Sequence, residues 1–294
     1  MKAVIQSARG PFLILTPMCV LAGVGAVVEQ GIAVQLTDLL LVLLGAMCAH
    51  ISVNALNEYL DFRSGIDLHT QRTPFSGGSG GLPQHPQEAG GVLMLGIVTL
   101  AITILTGFYF LFQGEYGLLP LGLAGVVIII AYTRPINRSP WLCLIAPGFG
   151  FGLAMVAGTG YALGASDSAT LWLAALVPFF LVNNLLLLNQ YPDIEADRAG
   201  GRRHFPIAYG VKNSTLVFAL NLLATALTIV IGVALGSFPL WSLLALAGLI
   251  PGVIAWRGAV LNGADIGQHP QFMAANVVAN LLTPALLGVT LIVF

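Results

Sequence analysis

Charge is what this sequence has least of. Only 8% of its 294 residues are Asp, Glu, Lys or Arg, against about 25% in soluble domains. Hydrophobic residues make up 57%, and the mean hydropathy is +0.91. Such a chain is not a water-soluble globular protein; it belongs in a bilayer. Basic runs are also missing, and no basic stretch is interleaved with aromatics, so nothing supports nucleic acid as a partner. Cysteine is scarce too. Cys19, Cys48 and Cys143 lie far apart within apolar segments. That reads as burial of small hydrophobes rather than a disulfide framework or a thiolate metal cluster.

What is present is apolar length. Taking about 20 residues per crossing, nine runs stand out, near 11–30, 38–60, 89–112, 117–132, 141–163, 169–190, 213–236, 238–257 and 272–294. The fourth is short. Lys2 and Arg9 precede the first run as they would in a secretory leader, but the run is long and no small-x-small site closes it, so it is read as a retained span. The expected fold is an all-α, polytopic membrane protein with nine transmembrane helices in one domain, 1–294. Two four-helix halves, about 11–132 and 141–257, have matching layouts, and a ninth helix follows at 272–294. With the N-terminus inside, all eleven basic residues fall on one side, while Glu29, Asp38, Glu115 and Asp167 fall on the other. This segregation is what the positive-inside rule requires, and it puts the N-terminus in the cytosol.

The few polar residues are concentrated at two helix ends on that inner side. Out of the second run come Asn54, Asn57, Glu58 and Asp61, within about 100° of one another on a helix, followed by Asp67. Out of the sixth come Asn189, Asp193 and Asp197, stepping by four along one helical face, with Glu195 pointing away. Ionisable groups at the edge of a span are costly and mark function. Carboxylates one turn apart, backed by an amide, match the few hard oxygens that Mg²⁺ takes from protein while phosphate and water supply the rest. Asn57, Glu58, Asp61, Asp67, Asn189, Asp193 and Asp197 are therefore the candidate metal ligands.

Arginines alternate with these acids. Arg72, Arg134, Arg138, Arg198, Arg202 and Arg203 are candidates for binding a diphosphate, since a guanidinium offers a fork for phosphate oxygens; each can equally serve topology and anionic lipid. Asn54 and Tyr132 are candidate substrate contacts, with Tyr132 also open to reading as an interfacial aromatic. The Gly-Ser stretch 76–81 is either a flexible turn or lid, or an oxyanion cradle. His50 is read as packed or hydrogen-bonded, and His69, His85, His204 and His269 sit in loops without metal-ligand spacing. Residues 213–294 read as scaffold.

Arranged as Asn57-Glu58-x2-Asp61-x5-Asp67 and Asp193-x3-Asp197, with Arg9-Gly-Pro11-Phe12-Leu13 before the first span and Tyr132-Thr133 after the fourth, these residues resemble the UbiA superfamily of intramembrane prenyltransferases. Within it, the segments Asn54–Asp67 and Asn189–Arg203 are similar to the 1,4-dihydroxy-2-naphthoate branch of menaquinone synthesis. Glu58 stands where that family usually has Asp, and the loop Thr73–Ser79 departs from the branch. The resemblance implies a nine-helix bundle with a cytosolic active-site mouth. It also implies Mg²⁺-dependent transfer of a prenyl group from an isoprenoid diphosphate to an aromatic acceptor, with Asp61, Asp67, Asp193 and Asp197 as the principal catalytic anchors. A 4-hydroxybenzoate, homogentisate, tetrapyrrole or glycerophosphate lipid acceptor, or cyclisation of the substrate with no acceptor, is the alternative within the superfamily. A cation-coupled transporter is the distant alternative, disfavoured because transporters place their sites at the bilayer midplane.

Overall fold

The computed structural model describes residues 1–68 and 72–294, and among them there is no strand. His69 lies outside the described residues. The long helices are α1 (Leu15–Glu29), α2 (Leu36–Ser64), α3 (Ala89–Phe112), α4 (Leu118–Ala131), α5 (Pro140–Ala162), α6 (Ala169–Asn189), α7 (Phe205–Ala234), α8 (Leu240–Gln268) and α9 (Pro270–Val293). Seven of these, α2, α3 and α5 to α9, are long and apolar enough to cross a membrane. α1 reaches that length only with the preceding Lys2–Phe12 segment, from which it is bent by 45°. α4, at 14 residues, rises only about 21 Å. This is an integral membrane protein.

Neighbours in sequence are neighbours in space, and the last helix returns to the first, closing the bundle. α9 crosses α1 at two glycines. A Cβ on Gly25 would sit 2.8 Å from the Gly288 carbonyl oxygen, so only glycine permits the approach. The buried core runs through α1, α5, α6, α7 and α9. All three cysteines are free and buried, as their apolar settings predicted. Leu, Ile and Val on the outer faces of α3, α4, α7 and α8 stay exposed, as a lipid-facing surface requires.

Two departures from expectation shape the end of the bundle that carries the acids. The first run does not enter as one helix from residue 11: a short helix, Lys2–Ser7, and a 3₁₀ turn, Gly10–Phe12, precede α1. Arg9 at the bend has φ 53°, uncommon for a side chain other than glycine. The second departure is at α6, which stops at Asn189. Pro192 disfavours helical backbone before it, and a new helix, Ile194–Ala199, starts with Asp193 as its N-cap. Asn189, Asp193 and Asp197 thus do not share one helical face. α2, by contrast, is unbroken. Its 29 residues rise about 43 Å, longer than the roughly 30 Å hydrocarbon core, so its last turns carry the acids beyond the apolar stretch.

α7, α6 and α9 are sewn together by amides at depth. Asn184 Nδ2 donates to the Phe218 carbonyl (2.9 Å), Asn221 Nδ2 to Asn184 Oδ1 (2.9 Å), and Asn276 Nδ2 to the Asn184 carbonyl (3.1 Å). The C-terminal segment, read as scaffold from its sequence, contributes Asn221 and Asn276 to this network. Interhelical amide bonds replace the hydrophobic drive that is absent between helices in lipid.

Candidate active site

The two acid clusters meet at one place. Arg202, on the turn after the Ile194–Ala199 helix, lies between them: Nη1 donates to Asp197 Oδ1 (2.7 Å) and Nη2 to Asp61 Oδ2. Its side chain is only 15% exposed, and both partners are buried. Burial works against its charge, but Asp61 and Asp197 outweigh that and hold the guanidinium firmly protonated. Asp197 is then completed by His204, whose Nε2 lies 3.0 Å from Oδ2.

Segment 76–81 makes the second link. Ser79 donates to Glu58 through its backbone N–H (2.9 Å to Oε2) and its hydroxyl (2.6 Å to Oε1), and the Gly77 N–H donates to Asp193 Oδ2 (3.1 Å). Gly78 has φ +74°, and a Cβ there would come within 3.1 Å of Asp67 Oδ1. The backbone lies directly on the carboxylates, which is why glycine is needed here. Both of the readings left open for this segment gain something: it is a turn, and its N–H groups already hold oxyanions.

Hydrogen bonding sorts the acids. Asp61 Oδ1, Asp67 Oδ2, Asn189 Oδ1 and Asp193 Oδ1 are buried and have no hydrogen-bond partner among the described residues. Both oxygens of Glu58 and both of Asp197 are engaged. Burial, with repulsion from Asp61 and Glu58, pushes Asp67 up to about 8. Burial and Asp197 push Asp193 up to about 7, against the bonds from Gly77 and Ser76. The site holds more carboxylates than cations. Among the described residues no three His, Cys, Asp or Glu side chains stand close enough to form a metal cage, since Arg202 occupies the space between Asp61 and Asp197.

Asn57 Nδ2 bonds Asp61 Oδ2 (2.9 Å) and Thr133 Oγ1 (3.1 Å), tying α2 to the turn after α4. Asn54 Nδ2 holds the Ala8 carbonyl (3.2 Å) and so fixes the bend at Arg9. The arginines divide differently from expectation. Arg134, Arg138 and Arg203 are exposed. Arg198, directly after Asp197, turns outward to pair with Glu195 (3.6 Å) because the short helix buries Asp197 on its opposite face. Arg72 lies at the rim, its guanidinium against Gly80 and 3.4 Å from the Asp67 carbonyl. Arg202 alone of the six sits between the acids.

From this mouth an apolar cavity of about 300 Å³ runs into the bundle, lined by Asn57, Tyr132 and Asn189 at its polar end and by Phe110 and Leu118 farther in. His50 faces it with Nδ1 2.9 Å from Thr16 Oγ1 and its ring against Phe151, the hydrogen-bonded role its sequence position suggested. Phe151 belongs to a π-helical stretch of α5, Phe149–Ala157, of the kind that often marks functional sites. Arg9 is the residue the sequence reading missed. It lines the cavity with its guanidinium over the Phe12 ring (5.0 Å to the centroid), near Glu58, Asp67 and Asp193, and that side chain makes no hydrogen bond or ion pair among the described residues. Its only local signal was its place before Gly10-Pro11.

Comparison with known proteins agrees with this architecture. Residues 17–281 match the UbiA prenyltransferase family, and the chain belongs to that family; it is a prenyltransferase. It is 28% identical over 235 residues to the 1,4-dihydroxy-2-naphthoate octaprenyltransferase of Bacillus subtilis, covering 79% of this chain and 74% of that one. It is 25% identical over 256 residues to the digeranylgeranylglyceryl phosphate synthase of Thermococcus sibiricus, covering 83% and 82%. The fold superposes on a UbiA homologue from Archaeoglobus fulgidus bound to GPP and Mg²⁺, with a TM-score of 0.68 and 17% identity over 99% of this chain and 100% of that one.

Proposed function

We propose that this prenyltransferase joins a polyprenyl chain, supplied as an isoprenoid diphosphate, to an aromatic acid, with 1,4-dihydroxy-2-naphthoate of menaquinone synthesis as the acceptor. The reaction takes place at the inner mouth of a nine-span bundle whose N-terminus and acid site face the cytosol. One observation carries the reading: four unpartnered buried oxygens, two from each acid cluster, belong to a site whose Asn57 and Asn189 also line an apolar cavity.

Hard, anionic or carbonyl oxygens, few in number and beside a space for phosphate, suit Mg²⁺. Asp61 and Asp67 on one side, and Asn189 and Asp193 on the other, would hold Mg²⁺ ions with at most two side chains to each, phosphate and water supplying the rest; bound there, the ions would neutralise charge on the departing diphosphate. The chain's own groups do the rest. The Arg72 guanidinium at the rim is the donor for phosphate oxygens, while the Gly77 N–H stays committed to Asp193 and holds that carboxylate in place. Arg202 keeps Asp61 and Asp197 at fixed positions, so that the site is organised before substrate arrives. The cavity takes the tail and excludes water from the allylic carbon once the carbon–oxygen bond weakens. Ring faces of Phe12, Tyr132 and Phe151 on its wall can stabilise positive charge there. Arg9, unpaired on the same wall, is the group to hold the carboxylate of an aromatic acid in a bidentate grip.

The test is product analysis by mass spectrometry with purified protein, several prenyl diphosphates and a panel of acceptors. 1,4-Dihydroxy-2-naphthoate with Mg²⁺ is expected to give the prenylated ring, and Arg9→Ala to raise the KM for the acid about tenfold with little change for the diphosphate. Preference for a glyceryl phosphate lipid, or for a ring without the acid, overturns the acceptor assignment.

A further inference from the structure

We propose that Glu58 is a positioning residue that clasps segment 76–81 over the acid site, and not a metal ligand. This refines the ligand set of the function proposed above and rests on that reading. The carboxylates at the mouth fall into two kinds. Asp61, Asp67 and Asp193 each keep an oxygen free, whereas Glu58 spends both oxygens on one residue, Ser79. The bonds are charge-assisted and buried: Glu58 is 4% exposed, and its bond to the Ser79 hydroxyl is 2.6 Å long.

The arrangement is built from several sides. The Ser79 hydroxyl donates to Glu58 and accepts from the Gly81 N–H (3.1 Å), so the grip on Glu58 also shapes the turn. The positive φ values at Gly78 and Gly80 let the backbone pass over Asp67 and under Arg72; a Cβ on Gly80 would fall 2.4 Å from Arg72 Nη1. Upstream, Thr73 Oγ1 accepts from the N–H groups of Phe75 and Ser76 (3.1 and 2.9 Å). The clasp therefore sets two things that matter to substrate. One is the Gly77 N–H aimed at Asp193; the other is Phe75, which lines the cavity and meets Phe12 edge-on. An aspartate at position 58 would be one methylene shorter and would not reach Ser79 from the same backbone. The glutamate and the departure of this loop from the family pattern are two parts of one device.

The experiment uses the full-length protein in nanodiscs and has two independent readouts. Hydrogen exchange of residues 76–81 is followed without metal or substrate, and the Mg²⁺ concentration for half-maximal diphosphate release is followed separately. Glu58→Asp and Glu58→Ala are expected to speed exchange about tenfold or more, as loss of two charge-assisted bonds implies. Ser79→Ala should give a smaller increase, and Glu58→Ala with Ser79→Ala no more than Glu58→Ala alone. The KM for prenyl diphosphate should rise in step while the Mg²⁺ requirement stays near that of the parent. Unchanged exchange at 76–81, or a Mg²⁺ requirement in Glu58→Ala that rises as steeply as in Asp61→Ala, overturns the proposal. Ser79→Ala leaves every acid in place, so the exchange readout survives even if the Glu58 variants fold poorly. Loss of all prenyl transfer in the parent protein, with the exchange pattern intact, would count against the proposed function and not against the clasp.

Discussion

At the end of α2 the polar residues leave the membrane on one unbroken helix, whereas at the end of α6 the same four-residue spacing is cut in two by Pro192. The consequence is a division of labour. The α2 cluster keeps free oxygens on Asp61 and Asp67 and uses Glu58 to hold a loop. The α6 cluster offers only Asn189 and Asp193, because Arg202 and His204 consume Asp197. Acids that are equivalent in spacing are not equivalent in chemistry. What separates them is which neighbours arrive to satisfy their lone pairs.

Breaking this asymmetry at its free oxygens should have the largest effect. Asp61→Ala and Asp193→Ala are each expected to lower kcat/KM for Mg²⁺-dependent diphosphate release by roughly a thousandfold or more, with insertion and helix content preserved. Near-normal turnover in both variants would remove the basis of the site assignment. Next in size is the bridge. Arg202→Ala leaves two buried carboxylates facing each other and should cost about 3–5 kcal/mol of stability, read as a fall in Tm. The outward-facing Arg198→Ala should stay within about 0.5 kcal/mol of the parent. Similar losses in both would mean that the two arginines are not distinguished by burial.

A gentler probe is pH. Asp67 near 8 and Asp193 near 7 both lie above the ordinary carboxylate range. Each contributes stability that is complete below about pH 4, the unfolded value, and is lost as pH rises through its folded value. The metal-free protein should therefore melt lower at pH 8.5 than at pH 6. Mg²⁺ should bind more tightly at the higher pH, because the protons it must displace are already gone. Thermal melts at both pH values, with and without Mg²⁺, check the sign. The opposite order would show that neither carboxyl is protonated at neutral pH. The smallest effect is expected at Tyr132→Phe, which keeps the ring on the cavity wall and should alter kcat/KM by less than about threefold; a large loss would give its hydroxyl a role in catalysis.

Much of this was legible before any coordinates. Composition alone demanded a membrane protein, and the apolar runs coincide with the helices to within a few residues, except at the bend around Arg9, at the start of α7, where Gly210 kinks the chain, and at the end of α8, which continues to Gln268. The acids stood out because ionisable residues are so rare here that two clusters at helix ends outweigh the bland reading of solvated carboxylates at wet helix ends. Asn57 and Asp61 do lie on one helical face and bond each other. The arginines were much less legible. Six were candidates, and only Arg202 reached the space between the acids, while Arg198, its neighbour by four, turned away.

Sequence by itself determined the solvent this protein lives in, the places where its helices run and the two points where charge is concentrated. Each of those follows from local composition and periodicity, which need no partner. Which oxygens remain free, which guanidinium stands between them and which loop lies across them were settled only in three dimensions. Hydrogen-bond satisfaction depends on groups more than a hundred residues apart, such as Arg202 with Asp61 and Gly77 with Asp193. No spacing within one segment encodes such a pairing.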